Sequence, residues 1–388
     1  MIKHIFTLIW NKRSKNFLLF LEIFLAFAIL FVVFTFAIQS FRTYSSPLGF
    51  KTEDAWLAYL EWDEEMDSTA LVDMKLRLER ALEEKPEIRS VAYIGQVTPF
   101  GGGMWQTTND NNGFELRTYM AFVDEDYLQT AGVKIIEGRP FNEDDHMARY
   151  KPVIVNKKIW ETYFGGQPII DSIYVFQGEN KVVGIVDHYK YLSEFRAEEP
   201  LTFFLDSKGS RDLPNLVLEL APGTPAAFEA EVNKTISEIT RRNDFVIVNL
   251  DQRRASSSRS TWIPLIAALS ICAFLIINVA LGLFGVLYYT ISKRRAEIGL
   301  RRTLGATKGT ITFQFIAEVL MVAGMAILLA LFFAVQLPLL NVMDIPTINY
   351  YLSMLFTSIL ILLVVLLCAF YPSRQASNIH PAIALHEE

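Results

Sequence analysis

The sequence predicts an integral membrane protein, α-helical in the bilayer, with four transmembrane helices and a large extracytoplasmic α+β domain between spans 1 and 2. Three observations carry that expectation. Runs without a charged residue cover 23–41, 260–292, 319–343 and 345–373, with lengths of 19, 33, 25 and 29 residues. A helix needs roughly 20 apolar residues to cross the hydrocarbon core. The segment 40–261 is acidic, holding 25 Lys and Arg against 36 Asp and Glu, whereas the short segments 1–16 and 293–308 are basic. Short basic segments stay in the cytoplasm, so the termini and 293–310 are expected inside, and 40–261 and 338–350 outside, a cytoplasmic (inner) membrane.

Composition narrows the class further. With 388 residues, 52% hydrophobic and 20% charged, the chain is neither disordered nor collagen-like. An acidic external domain argues against nucleic acid as a partner. Cys272 and Cys368 both fall in spans, which leaves the external domain without a disulfide or a thiolate for metal or catalysis.

Taken in order, residues 1–16 place Ile2, Ile5, Phe6, Ile9 and Trp10 on one helical face, the pattern of a cytoplasmic amphipathic helix lying against membrane lipid. Transmembrane helix 1 is expected over 17–39. It carries a Phe stripe, Phe17, Phe20, Phe24, Phe27, Phe31 and Phe34, at steps of three and four. That spacing reads as a packing seam, with a lipid-facing aromatic face as the alternative. Glu22 lies a little over a turn from the cytoplasmic end, where its carboxylate can snorkel.

The external domain, 40–260, opens and closes on similar units. Strand 55–60, helix 68–84 with Ser68 as N-cap, and strand 90–95 form the first. Strand 216–220, helix 225–241 with Pro225 in its first turn, and strand 245–250 form the second. Two β-α-β units at 55–98 and 215–250 predict a split ferredoxin-like subdomain. Between them, 100–204 reads as a mostly β insert, with strands at 116–123, 153–156, 172–176 and 181–185 separated by Gly- and Asn-rich turns. Transmembrane helices 2, 3 and 4 are expected at 261–291, 313–338 and 351–371. A cytoplasmic loop at 292–312, an external loop at 339–350 and a cytoplasmic tail at 372–388 complete the chain.

No catalytic constellation emerges. Gly101-Gly-Gly103 lacks the Lys-Ser/Thr of a phosphate loop, and there is no nucleophile elbow or paired-His zinc motif. The histidines His4, His146, His188, His380 and His386 are scattered over both sides of the membrane. Asp187-His188 at a strand end reads as a turn. The expectation is a non-catalytic chain with no metal and no cofactor of its own.

The most specific signal is Ser292-Lys-Arg-Arg-Ala-Glu-Ile-Gly-Leu-Arg-Arg-Thr-Leu-Gly-Ala-Thr-Lys308. A loop that only sets topology needs basic residues, not this ordered run. With Gln314-Phe-Ile-Ala-Glu318 it closely resembles the cytoplasmic loop of MacB/FtsX-type ABC transporter permeases. Tyr371-Pro-Ser-Arg-Gln-Ala-Ser-Asn-Ile-His-Pro-Ala-Ile-Ala-Leu385 is similar to that family's tail. Phe122–Tyr127, Glu137–Phe141, Pro152–Asn156 and Val182–Asp187 resemble its MacB-like periplasmic domain.

The resemblance implies a permease subunit whose cytoplasmic loop docks on an ABC ATPase subunit dimer, and it carries that coupling role to Glu297, Gly299, Arg301, Arg302, Gly305 and Ala306. Glu318 takes the family's acidic position at the membrane interface. Because only 16 residues precede the first span, a separate ATP- and Mg-binding ATPase is expected, together with a second permease chain, identical or paralogous. The mechanism implied is mechanotransmission, in which ATP binding and hydrolysis rearrange the external domains for export of peptides or toxic compounds, with a periplasmic adaptor and an outer-membrane tunnel as further partners. Lipoprotein extraction of the LolC/LolE kind and FtsX-like regulation of a cell-wall hydrolase are the alternatives.

Overall fold

The computed structural model describes residues 13–63, 65–103, 105–111, 114–175, 178–340, 342–343 and 345–377. The predicted helix over 1–16 falls largely, and the tail motif partly, outside the described residues. The chain divides into two units, one made of Met1–Arg42 and Trp262–Glu388, the other of Thr43–Thr261.

The first unit is built on four helices long and apolar enough to cross a membrane. They are α1 (Arg13–Tyr44), α6 (Leu250–Lys293), α8 (Lys308–Ala334) and α10 (Thr347–Ser377), with the short helix α7 (Arg295–Thr303) between α6 and α8 and the turn α9 (Gln336–Leu339) after α8. Their common core joins Ile23, Phe27 and Leu30 of α1, Val279 and Leu283 of α6, Ala323 and Ala326 of α8, and Ile361 and Val365 of α10. Small residues are buried on both packed helices: Ala323, Ala326, Ala330 and Ala334 on α8, and Ser353, Thr357 and Ala369 on α10. In lipid there is no hydrophobic drive between helices, so close backbone approach past small residues supplies the packing. Phe27 and Phe31 are fully inside, Phe20, Phe24 and Phe34 pack against them, and Phe17 is 62% exposed. Several hydroxyls within the spans return to their own helix: Thr35 donates to the Phe31 carbonyl, Ser353 to that of Asn349 and Ser358 to that of Met354. Such bonds satisfy a polar group where no water is present.

Helix α6 begins at Leu250, ahead of the expected start at 261. Its 44 residues span roughly 66 Å at 1.5 Å per residue, about twice the hydrocarbon thickness. Asn249 explains the early start, because its side-chain oxygen accepts from the backbone N–H of Asp251 and Gln252 and caps the helix. Helices α8 and α10 likewise begin at Lys308 and Thr347, a few residues ahead of 313 and 351. The Thr307 side chain accepts from Thr310 N–H and caps α8.

In the second unit, β1 (Ala55–Tyr59), α2 (Ser68–Glu83), β2 (Ile88–Ile94), β10 (Asn215–Leu220), α5 (Glu229–Thr240) and β11 (Val246–Asn249) form the antiparallel order β11-β1-β10-β2. This is the predicted split ferredoxin-like plan. Alternation assigns the faces. Trp56, Ala58, Val91, Tyr93, Leu216 and Leu218 meet Leu71, Leu78, Val232 and Ile236 of the helices, whereas Leu57, Ala92, Ile94 and Val217 enter a second core on the other face. The cap of α2 is Asp67, whose carboxylate accepts from Thr69 N–H; the expected cap, Ser68, is the first helical residue.

The insert extends the same sheet. A single pair, Ile94 and Val123, joins β2 to β4 (Phe114–Val123). The sheet then runs through β9 (Leu201–Leu205), β6 (Lys151–Asn156), β8 (Glu179–Val186) and β5 (Ile135–Gly138). Hairpin strands β3 (Gln106–Asn111) and β7 (Ile173–Val175) pair with β4 and β8. The short helix α3 (Tyr127–Thr130) follows β4. Helix α4 (Lys157–Phe164) follows β6, capped by Asn156.

Candidate functional site

The basic segment predicted to carry coupling is an ordered helix-turn between α6 and α8. Arg294 interrupts the helical backbone, α7 runs over Arg295–Thr303, and Gly305 adopts φ +96°. Gly305 N–H donates to the Arg302 carbonyl and Ala306 N–H to that of Arg301, at 3.2 and 3.0 Å. This pair of bonds is the Schellman closure of a helix, which requires a left-handed residue after the cap. The Leu-Gly-Ala of the motif therefore has a backbone reason.

Amphipathicity seats α7. Ile298 and Gly299 are buried, and Ile298 packs with Ile291, Ile311, Phe315 and Ala376, with Ala306 beside them. A polar chain runs along the same side. Arg294 donates to both oxygens of Glu318, at 3.0 and 3.2 Å, and Gln314 Nε2 donates to Glu318 at 3.3 Å. Arg301 donates to Gln314 Oε1 at 2.8 Å and to Glu297 at 2.6 Å. Glu318, ten residues into α8, is thus paired with Arg294, both side chains being mostly buried.

The structure brings Glu297, Arg301 and Glu318 into one network. Arg302 is half-buried, with its Nε lacking a hydrogen-bond partner among the described residues. On the exposed side stand two large apolar residues, Leu300 and, just past the helix, Leu304, 54% and 80% exposed. The sequence expectation assigns these two no role. The signal available was their spacing of four, opposite the buried Ile298. Arg294 and Gln314 were not assigned as partners of Glu318 and Arg301, since pairing across 24 and 13 positions needs the fold.

The second unit contains another built polar centre, in the strap between β8 and β9. Lys190 Nζ donates to the carbonyl of Thr43 at 2.6 Å, to Ser46 Oγ at 2.8 Å and to the carbonyl of Glu194 at 3.1 Å. Burial pushes the pKa of its ammonium down, against the opposing pull of Glu194 and Glu198. The Glu194 carboxylate accepts from Arg254 Nε and Ser258 Oγ, each at 2.7 Å. Gly49 passes so close that a Cβ there would meet the His188 carbonyl oxygen at 1.7 Å. One strap therefore grips both the segment leaving α1 and the first turns of α6. Sequence reading assigned Asp187-His188 to a turn; His188 Nδ1 lies 2.8 Å from Glu198, and Lys190 and Glu194 were not singled out. Among the described residues no group of three His, Cys, Asp or Glu side chains is arranged to hold a metal.

Comparison with known proteins adds the context for these sites. Residues 19–235 match the family described as MacB-like periplasmic core domain, and residues 269–381 match the family described as FtsX-like permease C-terminal. The chain is 26% identical over 310 residues to the macrolide export ATP-binding/permease protein MacB 1/2 of Paracoccus denitrificans, covering 76% of this chain and 45% of that one. It is 22% identical over 202 residues to the uncharacterized ABC transporter permease YknZ of Bacillus subtilis, covering 50% and 51%. The chain spans about half the length of the curated relatives it matches. Among solved structures, the periplasmic region of MacB from Actinobacillus actinomycetemcomitans is similar at a TM-score of 0.39 and 13% identity, over 55% of this chain and 97% of that one.

Proposed function

The chain belongs to the MacB/FtsX-type family of ABC transporter permeases, and we propose that it is a non-catalytic subunit that passes ATP-driven movement from a cytoplasmic ATPase to its external domain. In this reading the ATP and Mg reside in the ATPase dimer, the termini and α7 face the cytoplasm, and the substrate is handled outside. The work is export of peptides or toxic compounds, with a second permease chain, an adaptor and an outer-membrane tunnel completing the assembly. Among the described spans, few polar groups line a path, which fits transmission of movement better than an aqueous channel.

The observation that carries the reading is α7 itself. A nine-residue helix closed by a Schellman turn and braced to α8 by Arg301 is rigid where a topogenic loop need not be. It offers Leu300 and Leu304 as an apolar contact of the helix-in-groove kind. Basic Lys293, Arg295 and Lys308 flank it in the sequence.

The test is affinity purification of the tagged chain in mild detergent with an ATPase assay of the eluate. Wild type is expected to bring down an ATP-binding subunit, and Leu300→Asp/Leu304→Asp to lose it. Arg301→Glu/Arg302→Glu is expected to lose it as well, through misplacement of α7. Folded wild type without ATPase activity in the eluate overturns the reading.

A further inference from the structure

We propose that the free edge of strand β11, with the cavity beside it at the start of α6, takes an extended peptide carrying basic side chains as an added strand. This site deepens the permease reading and rests on it in one respect, that the external unit is the part that meets the substrate.

The sheet of the external unit ends on β5 at one side and on β11 at the other. The β5 edge is guarded. Its pairing with β8 shifts register between Ile135 and Glu137, and Glu137 places a charge on the strand. Bulges and charges are how a sheet keeps further strands off its edge. The β11 edge has neither. It reads Val-Ile-Val-Asn, without charge or proline, and it pairs with β1 in unbroken register from Val246 to Asn249. Val246 is exposed. Among the described residues no strand pairs with the far side of β11. An edge strand presents a row of unpaired backbone N–H and C=O groups outward, and the chemistry that matches such a row is another extended backbone.

A cavity of about 570 Å³ adjoins this edge where β11 passes into α6. Ile247 and Val248 both line it, with Gln252 and Ser256 from the first turns of α6. Successive strand residues point to opposite faces of a sheet, so a cavity that touches both wraps around the edge instead of covering one face. Trp56 and Phe100 supply apolar wall. The volume falls within the roughly 300–1,000 Å³ of ligand pockets, ample for a long side chain of an added strand.

Charge selects the kind of peptide. Two carboxylates stand in the cavity wall, Asp54 just before β1 and Glu229 at the start of α5. Neither side chain has an ion-pair or hydrogen-bond partner among the described residues. The basic side chain of the wall, Arg253, is already engaged: its Nε donates to the Phe100 carbonyl at 3.2 Å, and its guanidinium lies 5.0 Å from the centre of the Tyr59 ring. The surrounding segment 40–261 is acidic as a whole, which draws cationic ligands toward it. A compact small molecule would fill the cavity and leave the strand edge unused. An extended peptide with Lys or Arg at alternate positions answers both, its backbone along β11 and a basic side chain between the carboxylates.

The test uses the full chain purified in mild detergent and a fluorescent heptapeptide of alternating Val and Lys with blocked ends, followed by anisotropy. Saturable binding is expected. The Val/Glu heptapeptide, and the Val/Lys heptapeptide N-methylated at every backbone amide, are each expected to bind at least about tenfold more weakly. Asp54→Asn/Glu229→Gln is expected to weaken the Val/Lys peptide about threefold to tenfold, and Glu137→Gln on the β5 edge to leave it at wild-type affinity. A benzophenone form of the peptide is expected to photo-cross-link within residues 246–257. Equal binding of the N-methylated peptide, equal binding of the Val/Glu peptide, cross-links confined to other strands or to the spans, or no saturable binding overturns the proposal. ATPase co-purification on the same preparation separates this site from the coupling reading. Absent peptide binding with the ATPase bound sinks the site alone; peptide binding at 246–257 without the ATPase sinks the coupling function and leaves the site.

Discussion

Lys190 holds the main-chain carbonyl of Thr43 at 2.6 Å, and through its own strap that lysine is linked to the start of α6: four residues on, Glu194 takes hydrogen bonds from Arg254 and Ser258. The two segments that lead toward membrane helices are thereby fastened to a single loop of the external unit. Both side chains are almost fully buried. Removing one partner of such a knot leaves acceptors that water does not reach, and that is costly.

The first prediction concerns this strap. Lys190→Met strips the ammonium from the carbonyls of Thr43 and Glu194 and from Ser46 Oγ, and is expected to destabilise the unit by about 2–4 kcal/mol. Glu194→Gln keeps an acceptor for Ser258 and loses the ion pair with Arg254, at an expected cost of about 1–2 kcal/mol. Chemical unfolding of the full chain in detergent measures both. Unchanged midpoints for both variants show that the strap bears no load. Under the permease reading, ATPase co-purification survives in these variants while transport falls.

A second prediction follows from Lys75. This lysine is fully buried on α2, with its ammonium 5.0 Å from the ring centres of Trp62 and Tyr93 and 2.9 Å from the carbonyls of Ser210 and Leu213. Burial lowers its pKa from 10.5 to about 7; Asp206 and Asp124 oppose that shift and Lys208 adds to it. A folded value below the unfolded one means that the unfolded chain binds more protons between about pH 7 and 10.5, so the Lys75 contribution to stability rises with pH across that window. The penalty is fully present below pH 7 and gone above 10.5. Lys75→Met is expected to flatten the dependence. Unfolding at pH 7.5, 8.5 and 9.5 reads it, and parallel slopes for wild type and variant refute the assignment.

How much of this could be read from sequence depends on the range of the cause. Charge-free runs mark the spans because desolvation of a charge is a local cost. The two β-α-β units were legible because Leu71, Met74, Leu78 and Leu82 repeat at helical spacing between alternating strands. Strand β3, Gln-Thr-Thr-Asn-Asp-Asn, was not, because no apolar alternation marks it and its place comes from pairing with β4. The early start of α6 was hidden by Ser256-Ser-Ser-Arg-Ser260, a run of weak helix formers held helical by the Asn249 cap and by the bonds of Arg254 and Ser258 to Glu194. In the basic segment between α6 and α8 the motif was plain, yet the bond that Arg301 makes to Gln314 depends on a residue thirteen positions away on another helix.

Gly305 supplies a third prediction, one that isolates the turn from the charges. At φ +96° any side chain is strained, while a Cβ there meets nothing within 4 Å. Gly305→Ala is therefore expected to cost about 1 kcal/mol or somewhat more through backbone conformation alone. It is expected to loosen α7 without disturbing the spans. Hydrogen exchange of the Arg302–Ala306 amides should accelerate, with ATPase co-purification reduced and overall unfolding nearly unchanged. Exchange rates equal to wild type at those amides rule out the closure as the device that holds α7.

The final prediction uses the Arg294–Glu318 pair, whose side chains are 11% and 16% exposed. Glu318→Leu leaves the mostly buried Arg294 guanidinium without its carboxylate, and Arg294→Leu leaves Glu318 with only Gln314 as donor. Each single change is expected to destabilise by about 2–4 kcal/mol, because an uncompensated buried charge costs more than a pair is worth. The double change to Leu removes both charges together. It is expected to recover much of the loss, giving a coupling of about 1–3 kcal/mol in a double-mutant cycle. Glu318→Gln is the discriminating variant: it keeps an acceptor for Arg294 but removes the neutralising charge. If Glu318 is there to compensate Arg294, Glu318→Gln falls near Glu318→Leu in stability. If hydrogen bonding alone matters, it behaves as wild type. Additive single effects in the cycle rule out the pair as the brace between α6 and α8, and the positioning of α7 then rests on Ile298 and its apolar neighbours.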